Sequence, residues 1–398
     1  MGERTLRDRA AIVGVGATQY YRRGESEPQL KLELVTTALT AALEDAGLTL
    51  DDVDGFASYA GGADTGLLAQ WLGIPEVRFT ANLTGGGGGA AGSLGLAAAA
   101  VATGMADCVV SFTAIQQGVS RFGAAFAKGG GAGTYSAPPM NEFDFTQLSG
   151  LMAPGQMFAV LTQRHMHLYG TRRDHFAEVA ITQRANAVPR ETAIMRTPLT
   201  RDDYFSARMI TDPLCLYDFC LECDGSVAFI TVSPDRAKDL RQPPVYVMAS
   251  ANGGAGRWGQ AITWLGMPDE YFASTGHRPV AQRAYEMAGI GPADVDVALF
   301  YDHFSPLVLM QLEDYGFCGI GESGGFVADG NIRWPNGSIP VNTHGGNLSE
   351  AYILGMTHVR EAVEQLRGTA VNQVDGAEIA LVTGGPASLP VSNLILHR

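Results

Sequence analysis

Cys215, Cys220 and Cys223 stand at C-x4-C-x2-C spacing, a pattern that could hold a metal ion. No fourth ligand lies near them, and their setting, LCLYDFCLEC, is apolar, so buried thiols are the stronger reading. Five cysteines spread over 398 residues are an odd and sparse set, which points to a reducing cytoplasm without disulfides. Downstream, Tyr301-Asp302-His303 and Thr343-His344 bring a phenol and two imidazoles to the ends of apolar runs. His303 and His344 could orient a tyrosine or a water, although such histidines more often serve structure. Gly14-Val15-Gly16 lacks the third glycine of a dinucleotide fingerprint, and a tight strand-to-loop turn accounts for it.

The elements that must position these groups come in two copies. Ala46-Gly47-Leu48-Thr49-Leu50-Asp51-Asp52-Val53-Asp54 recurs as Ala288-Gly289-Ile290-Gly291-Pro292-Ala293-Asp294-Val295-Asp296. In both, an amphipathic helix runs up to an Ala-Gly whose glycine caps it, and Asp-Val-Asp leads into an apolar strand, 55–59 or 297–301. Strands at 11–15 and 245–249 open the two halves. A helix ending at a glycine, followed by a buried strand (104–110 or 376–382), closes each. Alternating strands and helices predict parallel sheets covered on both faces, in two halves, 1–240 and 241–398. Residues 116–214 match neither half and read as an inserted, helix-containing lid with a mobile Gly-rich loop at 128–133.

A net charge of −14 argues against nucleic acid, whose phosphates need a basic surface. Arg172 and Arg173 could supply a local basic patch for an anionic ligand, and a solvated charge pair is the plainer reading of them. The apolar runs 10–16 and 94–101 are too short to cross a bilayer, so no membrane insertion is expected.

Over nearly the whole chain, this organisation resembles the thiolase superfamily. The motifs that carry the resemblance are Cys223-Asp224-Gly225-Ser226-Val227-Ala228, Tyr301-Asp302-His303-Phe304, Val341-Asn342-Thr343-His344-Gly345-Gly346 and Thr383-Gly384-Gly385. It is closest to the sterol-carrier-protein thiolases and, among them, the aldolases of bacterial steroid side-chain degradation. The resemblance implies an α/β fold of duplicated βαβαβαββ halves forming a five-layer αβαβα core. It also shows what is gone. The position of the thiolase nucleophile falls near Gly87, that of the second cysteine on Val382, and those of the two acid/base motifs on Tyr352 and Tyr301. Acyl transfer through a cysteine is therefore excluded on this alignment, and a non-catalytic, acyl-CoA- or lipid-binding subunit is the competing expectation.

A retro-aldol cleavage needs no nucleophile. It needs a base for the β-hydroxyl proton, donors for the thioester enolate oxygen, and an acid for the α-carbon. Two tyrosines and an inherited oxyanion site meet that list. Ser349 is expected to cap a helix holding Tyr352 in its first turn, where the dipole would favour phenolate. Tyr301 is expected to end a buried strand as its proton partner, while Asp302 points away. By resemblance the substrate is a 17-hydroxy steroid C22 acyl-CoA, cleaved to a 17-keto steroid and propionyl-CoA. Gly87, His303, His344, Gly346 and Gly385 are the expected substrate-binding positions. The glycines near Gly87 either open space for a bulky group or only permit close packing. No metal or cofactor is expected, since CoA belongs to the substrate. Expected partners are a second copy, docked through the first half's central strand, and a small OB-fold and zinc-ribbon protein.

Overall fold

Asp54 and Asp296 show why one local pattern folds twice. Each turns its carboxylate onto the amides that open a neighbouring strand, Asp54 onto Asp107 and Cys108, and Asp296 onto Glu378 and Ile379, at 2.8–3.0 Å. Upstream of each, a helix ends at a left-handed glycine, Gly47 (φ 74°) or Gly289 (φ 68°). Glycine takes that conformation without a Cβ penalty.

The computed structural model describes residues 5–59, 63–83, 88–118, 148–151, 153–254, 273–385 and 390–398. The first half holds β1 (Ala11–Ala17), α1 (Lys31–Ala46), β2 (Gly55–Tyr59), α2 (Thr65–Leu72), β3 (Phe79–Leu83), α3 (Gly89–Ala102) and β4 (Cys108–Ile115). An insertion bearing α4 (Pro154–Tyr169) and α5 (Arg173–Ala187) precedes its last strand, β5 (Cys223–Val232). The second half holds β6 (Val245–Gly253), α6 (Arg278–Ala288), β7 (Val297–Leu299), α7 (Ser305–Asp314), α8 (Gly346–Ser349), α9 (Met356–Arg367), β8 (Ile379–Gly384) and β9 (Val391–His397). The Gly-rich stretch 128–133 lies outside the described residues.

These strands run in the order β7-β8-β9-β6-β1-β5-β4-β2-β3, and the halves meet where β1 pairs with β6. The expectation of parallel sheets is corrected. β5 inserts antiparallel between β1 and β4, and β9 does the same between β6 and β8. The short link from β8 to β9 allows no crossover, and so dictates antiparallel neighbours. A second correction concerns the repeat. β2 pairs in parallel with β3 over five positions, whereas the matching contact beside β7 is the single bridge Ala298↔Val341. The βαβαβαββ order is thus complete in the first half, while among the described residues of the second its third strand is reduced to that bridge.

Alternating side chains divide the core into layers. Ile12, Ala57, Val109, Phe229, Val247, Leu299, Val382 and Leu394 face one inner cluster shared with α3 and α9. Their neighbours Val13, Phe56, Val110 and Ile230 face α1, while Ala298, Leu381 and Ile395 face α6 and α7. Helix, sheet, helix pair, sheet and helix make five layers. α3 can occupy the centre because its many Ala and Gly residues let two sheets approach it.

β4, central in the first half, is paired on both sides, so it cannot extend the sheet towards a second copy. β3 stands at the end of the strand order and is only partly covered, so it is the strand of that half with a free edge.

Candidate active site

β2 and β4 run parallel in the first half, as β7 and β8 do in the second, and α/β sheets bind ligands at such C-terminal strand ends. β7 stops at Leu299, two residues before the expected end, and Tyr301 follows it. There the Tyr301 and Tyr352 hydroxyls meet at 2.9 Å, with the two residues only 1% and 4% exposed. The phenols cross edge to face, ring centroids 6.3 Å apart.

Both tyrosines are held by their backbones. The Tyr301 amide donates to Thr383 Oγ1 at 2.8 Å, and its carbonyl accepts from Gln311 Nε2 at 2.9 Å. The Tyr352 amide donates to Cys223 Sγ at 3.1 Å, and the Cys223 thiol donates to the Tyr352 carbonyl at 3.3 Å.

The expected source of the helix dipole is corrected. Tyr352 lies between α8 and α9, and α9 is capped by left-handed Gly355, not by Ser349. Ser349 closes the short α8 and accepts from Arg184 Nε at 2.9 Å. A different helix end fills the place. A Cβ on Gly89, at the start of α3, would overlap the Tyr59 ring, and one on Gly355 would lie 2.8 Å from the Tyr301 ring and 3.4 Å from Ala90. The positive end of α3 therefore opens beside these tyrosines.

Burial pushes the Tyr301 hydroxyl well above the usual range, and the neighbouring Tyr352 and Tyr59 add to it. Tyr301 is thus held protonated. Tyr59 is the residue that sequence reasoning missed. The repeat carried the signal, for Tyr59 and Tyr301 occupy matching positions after Asp54 and Asp296.

The other expected site residues divide. His303 stacks edge-on against Tyr301 with centroids 5.1 Å apart, and burial drives its imidazole down to about 3. His344 touches no tyrosine hydroxyl. It packs edge-on to His358 at 4.7 Å with its Nε2 3.9 Å from Glu350, and burial lowers it far below the ordinary value. Asp302 turns away, accepting from the Asn347 and Leu348 amides and pairing with His358 Nε2 at 2.9 Å. A Cβ on Gly346 would overlap that carboxylate, so this glycine serves the Asp302 contact. The Gly385 carbonyl pairs with His277 Nε2 at 2.6 Å.

Gly87 lies outside the described residues. Its neighbours Gly88 and Gly89 have no room for a Cβ, which would overlap the Pro390 carbonyl and the Tyr59 ring respectively. At these two, close packing replaces the expectation of opened space. Arg172 pairs with Asp174 at the surface, and the Arg173 guanidinium lies over Tyr204 and Phe205. Among the described residues, no three His, Cys, Asp or Glu side chains gather as a metal site, and no helix is long and apolar enough to cross a membrane.

A duplicated five-layer core with a ligand region at its strand ends defines the class, a protein of the thiolase fold. Residues 261–396 match the thiolase C-terminal domain-like family. The chain is 40% identical, over 98% of its length and all of the relative's, to 17-hydroxy-3-oxo-4-pregnene-20-carboxyl-CoA lyase of Mycobacterium tuberculosis. It is 38% identical, over 97% of each chain, to the steroid side-chain-cleaving aldolase of Thermomonospora curvata. Among solved structures it superposes on an Ltp2-ChsH2(DUF35) aldolase with a TM-score of 0.88, at 36% identity and 98% coverage of both chains. The chain belongs to the steroid side-chain-cleaving aldolases, carbon–carbon lyases within the thiolase superfamily.

Proposed function

We propose that this protein cleaves a 17-hydroxy steroid C22 acyl-CoA by a retro-aldol reaction, giving a 17-keto steroid and propionyl-CoA. The observation that carries the reading is the buried 2.9 Å contact between the Tyr301 and Tyr352 hydroxyls. Tyr352, as phenolate, takes the β-hydroxyl proton. The Cα–Cβ bond breaks, its electron pair passes into the thioester enolate, and the β-carbon leaves as a ketone. Tyr301 then protonates the α-carbon. The proton gained by Tyr352 crosses the 2.9 Å contact to Tyr301, and the pair returns to its starting state. The first amides of α3 and that helix's positive end stabilise the phenolate and the enolate oxygen.

The steroid and CoA parts of the substrate are inferred from relatives named for that chemistry. A small OB-fold and zinc-ribbon partner is inferred because a solved relative is named as an Ltp2-ChsH2(DUF35) aldolase, and a homodimer is inferred from the family resemblance. Incubation with a β-hydroxyacyl-CoA, with and without such a partner, tests the reading. Released ketone is the expected result. No ketone under either condition identifies a non-catalytic subunit instead, and full-rate turnover by the isolated chain removes the partner's role.

A further inference from the structure

We infer that Cys223 is a positioning residue for Tyr352, a role that rests on the proton-transfer reading above. Tyr352 sits outside both flanking helices, so no helical ladder satisfies its backbone. In a site this buried, an unpaired amide or carbonyl is costly. One atom serves both groups. Cys223 Sγ accepts from the Tyr352 amide at 3.1 Å and donates to its carbonyl at 3.3 Å. That double contact fixes the peptide planes on either side of the Tyr352 Cα, and with them the starting direction of the phenol.

Donating and accepting at once requires the protonated thiol. Burial supplies it, pushing Cys223 up to about 12. The same burial, 0% exposure, keeps the thiol from acting as a nucleophile.

The thiol is itself anchored. The Cys223 amide donates to Gln117 Oε1, and the Gln117 amide donates to Asp224 Oδ1, each at 2.8 Å. Asp224 Oδ2 also accepts from the Gly24 amide and the Ser26 hydroxyl. A braced strand of the first half thus reaches into the second half and holds Tyr352. On the other side, Thr383 and Gln311 grip Tyr301 in the same way, amide and carbonyl both. Thr383 Oγ1 in turn donates to Gln311 Oε1 at 2.6 Å. The contact between the hydroxyls is therefore set by two backbone clamps, of which Cys223 is the one that crosses between halves.

Four variants test this in the complete, partnered enzyme. Cys223→Val removes both hydrogen bonds with an aliphatic side chain about one methyl group larger, and Cys223→Ser keeps a donor and an acceptor. The expected result is a roughly 10- to 100-fold lower kcat for Cys223→Val, because small misplacements of reacting groups cost that much. KM should stay within about threefold in both variants, and Cys223→Ser should recover most of kcat. If Cys223→Val does not fold, Gln117→Leu, which frees the Cys223 amide, takes its place with the same expected loss of kcat. Wild-type kcat in whichever of the two folds overturns the proposal, and so does a Cys223→Ser enzyme as slow as Cys223→Val. Tyr352→Phe separates the layers of the argument. An active Tyr352→Phe removes the underlying reading. An inactive one beside a fully active Cys223→Val removes the clamp alone.

Discussion

The two halves share strand order and capping aspartates but differ at the third strand. In the first half β3 is a paired strand of five residues on a partly exposed edge. In the second, the single bridge at Val341 leaves residues 342–355 free to fold inward. There Asn342, Thr343, His344, Asn347, Ser349 and Glu350 are all buried, and the segment ends by presenting Tyr352. Where the first half has a paired strand, the second has a single bridge and a buried polar loop. The first half keeps scaffold duties, supplying the α3 terminus and the Cys223 brace, while the second carries the tyrosine pair.

The largest expected effect tests that division of labour. Tyr301→Phe and Tyr352→Phe should each lower kcat about 10²–10⁴-fold, the usual contribution of a general acid or base. Measured with the same substrate, the double variant should fall well short of the product, because the pair acts as a unit. Tyr59→Phe, at the matching position of the first half, should cost less than about tenfold. An equal loss at Tyr59 would erase the asymmetry. Cys108→Ser, remote from the pair on β4, should leave turnover unchanged.

The buried loop also depends on one cation. Arg190, 3% exposed, pairs with Glu350, and with Glu361 and Glu364 at 2.7 Å each. Removing it leaves buried carboxylates uncompensated, so Arg190→Met should cost about 3–5 kcal/mol in denaturant unfolding. A loss under about 1 kcal/mol would show that the loop does not rely on this centre.

A smaller effect comes from pH. His277 and His303 are held neutral by burial, lowered to about 4 and about 3. Below about 6.5 the unfolded imidazoles take up protons that the folded ones refuse, so the unfolded state binds more protons and stability falls with pH. At pH 5 each histidine should contribute about 2 kcal/mol of destabilisation. Melting curves at pH 7 and pH 5 check the sign. His303→Phe should reduce the difference, and a melting temperature that rises on acidification would contradict the assignment.

Much of this was legible from the residues. Gly47 and Gly289, with Asp54 and Asp296, announced the duplication because caps and strand starts obey local rules. The meeting of Tyr301 with Tyr352 followed only from family resemblance, since no local rule spans the 51 positions between them. What failed was long-range. Ser349 has the chemistry of an N-cap, but Gly355 took the role once α8 closed early. The residues left open whether the glycines near Gly87 make space or permit close packing, and at Gly88 and Gly89 contact with Pro390 and Tyr59 decides for packing. Tyr59 itself was readable from the repeat and was overlooked because thiolase motifs do not mark it.

Proton bookkeeping tests the central claim most directly. The partnered enzyme would be given a 17-hydroxy steroid C22 acyl-CoA in deuterium oxide, and the released propionyl-CoA examined by mass spectrometry. The account predicts ketone and propionyl-CoA in equal amounts, with one solvent deuterium at the α-carbon, at a rate collapsing in both Tyr301→Phe and Tyr352→Phe. Undiminished cleavage in the two tyrosine variants, or loss confined to a cysteine variant, would contradict it.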